Sequence, residues 1–570
     1  MKKGKVIIYQ TVPRLFGNMN DNPTPHGSID INGCGKFASY SVKALDSIRD
    51  LGVTHVWFTG VPAHTTRTDY SRFGIPKDHN AIVKGKAGSP FAIRDYYDVD
   101  PDLAENINER MNEFEALVKR THDAGLKVII DFVPNHVARD YCSRMKPFFL
   151  EDLGQNDDRT KAFLPTNNFY YLPGQNLELH FGAKQEDFEY SEFPARVTGN
   201  DCFSASPSKN DWYETVKLNY GVDYLNGCKK HFSPVPDTWN KMLDILLFWI
   251  GKDVDGFRCD MAEMVPVDFW QWVIPRIKSR KNVCFIAEVY NPALYRDYIG
   301  TGKFDYLYDK VGMYDTMRSI VCRQASTINI CSCREAIEDF RENMLFFLEN
   351  HDEQRIASDF FAANAFAGIP AFAFMALLNV NPIMIYNGQE LGERGMDEEG
   401  FSGRDGRTTI FDYWSMPSIR RWANNGAFDG GQSTAEELTI RNLYKRILNI
   451  ARDEKAISQG LFYGVGYCNH NNPYYPVDKM AVGLRKFEDE LIIIIANFDV
   501  LSHSVRVNIP ADAFKVMNIP DNKAAVMTNM FTGEESIVAL TPVCPFEATV
   551  DAQSVKIYKI SLTGISEYLS

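Results

Sequence analysis

Three carboxylates, one arginine and two histidines fall in this chain where short apolar runs end. The first group is Asp255-Gly256-Phe257-Arg258-Cys259-Asp260. Arg258 and Asp260 are two apart, so on an extended strand both side chains leave one face. A guanidinium beside a carboxylate favours its ionised form, which a nucleophile needs. Glu288 closes the run Val283-Cys284-Phe285-Ile286-Ala287. An apolar setting raises a carboxyl pKa and keeps the proton on a general acid. His351-Asp352 comes just past another apolar run, and Asp131-Phe132-Val133-Pro134-Asn135-His136 comes after Lys127-Val128-Ile129-Ile130. Such groups are the parts of a carbohydrate-cleaving site, where one carboxylate attacks and another protonates the leaving oxygen. A lone Asp at a strand end is ordinarily a cap or turn residue. Polar, reactive groups at four strand ends carry the reading.

The elements that must position these groups repeat one pattern over the first 400 residues: amphipathic helix, glycine, apolar strand, polar loop. Val42, Leu45 and Ile48 mark a helical face; Gly52 and the strand Val53 to Phe58 follow. Met111, Phe114, Leu117 and Val118 mark a second, stopped by Gly125 before Lys127 to Phe132. Trp239, Met242, Leu243, Leu246 and Trp249 mark a third, with Gly251 as the expected stop before Val254 to Asp260. Continuously apolar strands are buried on both faces, and alternation with helices implies a parallel sheet. Lys5 to Gln10, Val283 to Ala287, Phe304 to Tyr308, Met344 to Leu348 and Pro382 to Ile385 bring the strands to eight. Eight strands with chemistry at their C-terminal ends predict an α/β fold of the (β/α)8 TIM-barrel type. A doubly wound sheet is the alternative, but it gathers chemistry at one switch point and not around a ring.

Two connections are too long for simple loops. One runs from His64 to Tyr97. The other, after the third strand, is large enough for an inserted domain at 137–236. The barrel is expected at 1–136 and 237–460, with a helix near Glu436 to Arg452. Short strand candidates from 461 to 570 predict a C-terminal all-β sandwich domain.

Length predicts several domains, and 45% hydrophobic with 24% charged residues is a globular composition. A net charge of −13 argues against a nucleic-acid partner. No apolar run approaches a membrane span, and Met1-Lys2-Lys3-Gly4 opens no signal peptide, so a cytoplasmic location is expected. The 11 cysteines agree, with Cys259 and Cys284 placed as free thiols in strands. Cys331-Ser332-Cys333 lacks the spacing of a zinc hook.

Over nearly the whole chain these motifs resemble the α-amylase superfamily, glycoside hydrolase family 13. The resemblance rests on Asp131-Phe132-Val133-Pro134-Asn135-His136, Gly256-Phe257-Arg258-Cys259-Asp260, Ile286-Ala287-Glu288 and Phe347-Leu348-Glu349-Asn350-His351-Asp352. Val216-Lys217-Leu218-Asn219, Gly52 to Trp57 and Ile385 to Glu390 add softer matches. The resemblance implies Asp260 as nucleophile, Glu288 as acid and base, and Asp352 binding the sugar in its distorted transition state. It implies Arg258 orienting Asp260, His136 and His351 bonding the same sugar, and Phe91 as the aromatic platform. Asp131 would anchor Arg258 and its network. A retaining pair of carboxyls sits about 5–5.5 Å apart, the spacing expected for Asp260 and Glu288.

Two departures bear on specificity. Glu263 and Met264 stand where many α-amylases have a Lys-His pair, and Phe91 stands where Tyr is frequent. They leave chain length, endo or exo action, and hydrolysis against transfer open. The resemblance also implies a calcium ion held by Asn135 and Asn219; the alternative is a hydrogen-bonded pair that holds the inserted domain. Trp212, Tyr213, Tyr170 and Tyr171 are candidates for sugar subsites or for the inserted domain's core. The leading expectation is an enzyme that hydrolyses α-1,4 bonds of starch- or glycogen-derived glucans. A transglycosylase on the same site is second. A non-catalytic member would lack one of the carboxylates, and a metal-dependent lyase would need a ligand cluster that this His-poor chain does not offer.

Overall fold

The computed structural model describes residues 4–180 and 190–562. Expectations that bear on residues 1–3, on 181–189 of the inserted region and on 563–570 lie outside them.

Eight short parallel strands form one sheet: β1 (Ile7–Thr11), β2 (His55–Phe58), β3 (Lys127–Phe132), β4 (Gly256–Cys259), β5 (Cys284–Ala287), β6 (Tyr306–Tyr308), β7 (Met344–Leu345) and β8 (Ile383–Tyr386). Their order is β7-β6-β5-β4-β3-β2-β1-β8. The ends meet where Phe346, just past β7, bridges Ile383, with Met384 N–H donating to the Phe346 carbonyl at 2.9 Å. The sheet is a (β/α)8 barrel. At least one helix follows each strand, and the barrel's series is α1 (Val42–Asp50), α2 (Arg110–Asp123), α3 (Asp237–Gly251), α4 (Val267–Lys278), α5 (Tyr295–Gly300), α6 (Asp315–Val321), α7 (Ile369–Leu378) and α8 (Ala435–Asp453).

Strand parity sorts the side chains. Ile8, Trp57, Ile129, Ile286, Tyr308, Leu345 and Met384 fill the barrel interior. Their neighbours Ile7, Val56, Val128, Phe285, Leu307, Met344 and Ile383 face outward and pack in the main core. Both faces are buried, which is why these runs show no polar alternation. Each large apolar side chain so buried contributes about 1.5–3 kcal/mol. The inward rows also fix where the chemistry goes: Asp131 lies two beyond Ile129, and Glu288 two beyond Ile286.

The expected strand Met344 to Leu348 is shorter than its apolar run. After the closing bridge at Phe346 the chain leaves the ladder and turns into the loop that carries His351 and Asp352. Gly52 and Gly125 do take the left-handed turn after α1 and α2, at φ 100° and 77°. Gly251 does not. It is the last residue of α3, and Asp253 takes the left-handed position at φ 67°. Lys281 Nζ holds the Asp253 carboxylate at 2.5 Å.

The inserted region begins in a short antiparallel ladder, His136–Ala138 against Thr215–Lys217. A small core of Tyr170, Leu172, Leu177, Ala195 and Val197 supports its irregular loops. The C-terminal region holds β9 (Leu461–Gly464), β10 (Met480–Phe487), β11 (Glu490–Asn497), β12 (His503–Val507), β13 (Asn522–Asn529), β14 (Glu535–Leu540), β15 (Phe546–Val550) and β16 (Ser554–Ser561). Six pair antiparallel in the order β9-β10-β11-β16-β13-β14, and β12 with β15 form a second, two-stranded layer. β11 explains the run Leu491 to Ile495: Leu491, Ile493 and Ile495 face the layer between the sheets, while Ile492 and Ile494 join the barrel's core. Among the described residues no helix is long and apolar enough to cross a membrane.

Candidate active site

The C-terminal strand ends converge on a cavity of about 500 Å³ lined by Phe91, His136, Asp260, Glu288, His351 and Asp352. Each sequence-derived candidate therefore has a testable position, and seven of them, these six and Trp212, share this space.

Arg258 is the hub. It points inward from β4 and is fully buried. Its Nη1 donates to Asp260 Oδ1 at 2.5 Å, and its Nη2 lies 2.8 Å from Glu288 Oε2. One guanidinium thus sets two carboxylates side by side. The rings of Trp57, Phe91 and Tyr308 surround it at 5.3, 5.3 and 5.6 Å, which favours the cation, and its Nε donates to the Tyr308 hydroxyl at 3.3 Å. The carboxylates Glu288 and Asp260 also hold Arg258 well above its ordinary value against the opposing pull of burial.

A strained turn completes the pair. Met261, directly after Asp260, adopts a left-handed backbone at φ 42° and ψ 43°. That conformation is costly for a side chain larger than Gly. It aims the Met261 N–H at Glu288 Oε2, at 2.8 Å. Glu288 Oε1 accepts from the Tyr290 hydroxyl at 2.6 Å. Burial raises the Glu288 carboxyl above its usual range and Asp260 adds to the rise; Arg258, Tyr290 and Met261 oppose it. Asp260 is raised by burial as well, with Arg258 pulling it back toward the ionised form. Its Oδ2 lies 3.9 Å from His136 Nε2 and is the less engaged oxygen.

The loop after β7 is shaped by Asn350, whose Oδ1 accepts from the N–H groups of Asp352 and Glu353 at 2.8 and 2.9 Å. Glu349 fixes the loop's far end through Ile356 N–H and Arg355. Gln10, at the end of β1, donates to His351 Nδ1 at 2.8 Å. The proton of the neutral ring therefore sits on Nε2, 3.0 Å from Asp352 Oδ2. Burial lowers both histidines, His136 to about 3, so each is a neutral donor. Burial and Glu288 raise Asp352; its side chain is 42% exposed to the cavity mouth, so water weakens that rise until the mouth is filled.

Asp131 does not reach Arg258 directly. It accepts from Trp57 Nε1 at 3.2 Å and from Gly60 N–H at 2.8 Å, and burial raises it to about 7. It steadies Trp57, which in turn packs on Arg258. Asp255 lies at the opposite end of β4 and binds His122 at 2.7 Å, away from the cavity. Of the four aromatic candidates in the inserted region, Trp212 lines the cavity and packs on His136 at 5.2 Å. Tyr213, Tyr170 and Tyr171 are buried.

The residues do not fit a calcium ion. Lys217 Nζ donates to Asn135 Oδ1 at 2.8 Å and lies 2.5 Å from Asp201 Oδ1, so an ammonium takes the oxygens a cation would need. Asn135 Nδ2 donates to the Gly199 carbonyl. Asn219 accepts from Gly221 N–H and donates to the Leu164 carbonyl, both at 2.8 Å. Each asparagine holds the inserted region, through separate partners and not as a pair. Among the described residues no cluster of three His, Cys, Asp or Glu is arranged to hold a metal ion.

Sequence reasoning missed Gln10, Tyr290, Tyr308 and the role of Lys217. Tyr290 carried a signal, being two beyond Glu288 on the same row. Lys217 stood inside the motif that pointed to Asn219, and its lone charge in an apolar ladder was the clue.

The model of the α-amylase catalytic domain matches residues 30–465. Alpha-amylase 3 of Dictyoglomus thermophilum is 23% identical over 525 residues, covering 88% of this chain and 86% of that protein. A cyclomaltodextrinase of Thermoanaerobacter pseudethanolicus is 21% identical over 512 residues, covering 86% and 70%. The crystal structure of a noncanonic maltogenic alpha-amylase, AmyB of Thermotoga neapolitana, superposes with a TM-score of 0.63 at 20% identity, covering 99% and 100% of the two chains. That structural likeness speaks for the fold alone; the catalytic-domain match spans most of the sequence. The chain belongs to the α-amylase family of glycoside hydrolases.

Proposed function

We propose that this protein is a retaining glycoside hydrolase that cleaves α-1,4-glucosidic bonds in starch- or glycogen-derived chains or maltooligosaccharides. The observation that carries this is Arg258 bound at once to Asp260 and Glu288, in a cavity that also holds Asp352. Glu288 Oε2 is taken by Arg258 and Met261, so Oε1 presents the proton to the glycosidic oxygen. Asp260 Oδ2 attacks the anomeric carbon as the bond to the leaving oxygen breaks, and a glycosyl-enzyme forms. Glu288, now ionised, takes a proton from water; that water attacks the same carbon and frees Asp260. Phe91 offers a ring face to the sugar, while His136, His351 and Asp352 bond hydroxyls whose geometry changes in the transition state. The names of the relatives, an α-amylase and a cyclomaltodextrinase, support an α-glucan substrate. The proposal places no calcium at the barrel's junction with the inserted region, because Lys217 occupies it.

Transfer to an acceptor sugar is the second reading. Trp212 and Tyr290 put aromatic surface in the same cavity, where a sugar acceptor stacks in place of water. Incubation with maltoheptaose and with soluble starch, Asp260→Asn alongside, separates the readings. Short maltooligosaccharides absent with the variant support hydrolysis. Products longer than the input support transfer, and no turnover of either substrate rejects both.

A further inference from the structure

Glu263, three residues past Asp260, is not among the residues that line the cavity. Its Oε2 accepts from the backbone N–H groups of Tyr290 and Asn291, at 3.1 and 3.0 Å. These residues begin the loop after Glu288. The Tyr290 hydroxyl then donates to Glu288 Oε1 at 2.6 Å, the oxygen that Arg258 and Met261 leave free. The ring of Tyr290 lines the cavity.

We infer that Tyr290 and Glu263 form a positioning relay for the acid/base: Glu263 fixes the loop, the loop fixes Tyr290, and Tyr290 holds Glu288 Oε1 toward the glycosidic oxygen. The inference rests on the functional reading given above. Burial and the adjacent Glu288 keep the Tyr290 phenol well above its ordinary value, so it remains an O–H donor throughout catalysis. A donor to the carboxylate favours its charged form. That resists protonation of Glu288 before the first step and assists its ionisation during it. The relay thus sets both the direction of the acid and the pH at which it is lost.

Tyr290→Phe removes only the hydroxyl. Glu288 then loses a donor, its pKa rises, and the alkaline limb of kcat/KM moves up by about one pH unit, a tenfold change in the protonation equilibrium. The rate on maltoheptaose falls about tenfold, within the range that positioned acid catalysis supplies. α-Maltosyl fluoride, whose fluoride departs without a proton from Glu288, loses little in the glycosylation step. Glu263→Ala reproduces the same pattern through the loop, and Glu263→Gln, which keeps an acceptor oxygen, restores it. Equal losses on both substrates with an unmoved alkaline limb would overturn the inference, since a merely structural role acts on both alike. A wild-type protein that turns over neither substrate rejects the underlying function, and the relay with it. A wild-type protein that turns over both, with variants indistinguishable from it, rejects the relay alone.

Discussion

Replacing Lys217 by Met tests whether an ammonium, not a metal, ties the inserted region to the barrel. The Lys217 side chain is only 1% exposed, in the ladder opposite His136. Met keeps most of the stem's volume, so the apolar packing changes little. What is lost is the donor to Asn135 Oδ1, a buried acceptor left unpaired at a cost of about 1–3 kcal/mol. Asp201 is 42% exposed and rehydrates, adding about 0–1 kcal/mol. The sum is about 1–4 kcal/mol. Unfolding entropy near 2 cal/mol/K per residue makes this about 1–4 °C in Tm if barrel and inserted region melt as one unit. Scanning calorimetry with and without a chelator reads it. The wild-type Tm is expected to stay put in chelator and in millimolar calcium, while Lys217→Met melts lower in both. Calcium does not rescue the variant, because Asn135 Oδ1 and the Asp201 carboxylate fall short of the six to eight oxygens calcium takes. A wild-type Tm that drops on chelation and recovers with calcium would refute the reasoning.

The pH profile of kcat/KM should be a bell displaced upward from free carboxylates. Asp260 must be ionised, so activity falls as pH drops through its raised pKa; Glu288 must be protonated, so activity falls as pH climbs through its own. Full activity persisting at about pH 3, below an ordinary Asp, would contradict the burial argument. Glu288→Gln should lower kcat on maltoheptaose by about 10²–10⁴-fold, with azide restoring turnover of α-maltosyl fluoride as the diagnostic product assay. Phe91→Ala removes the ring that packs on His351 at 5.1 Å and on Arg258 at 5.3 Å. About tenfold lower kcat/KM is expected, and an unchanged value would remove Phe91 from the substrate platform.

Much of the architecture was legible in the sequence because its causes are local. Continuous apolar runs between helical faces gave eight strands, and a side-chain period of two put Arg258 and Asp260 on one row. The helix expected near Glu436 to Arg452 is Ala435–Asp453, where Thr434 and Glu437 form a reciprocal cap. The left-handed stop moved from Gly251 to Asp253 because glycine permits that conformation without requiring it. The resemblance brought Glu288 and Asp352 beside Asp260 as an expectation; spacing alone could not, since they come from different strands.

What only the tertiary structure decided are the contacts among residues remote in sequence. The second arm of Arg258 reaches Glu288 on the next strand. Met261 bends left-handed to point its N–H the same way. Glu263 turns to the 290–291 backbone and not to the cavity, and Lys217 swings its ammonium onto Asn135. The physical reason is common to all four. Composition and periodicity fix which face a side chain leaves, whereas its partner depends on what the closed barrel brings within about 3 Å.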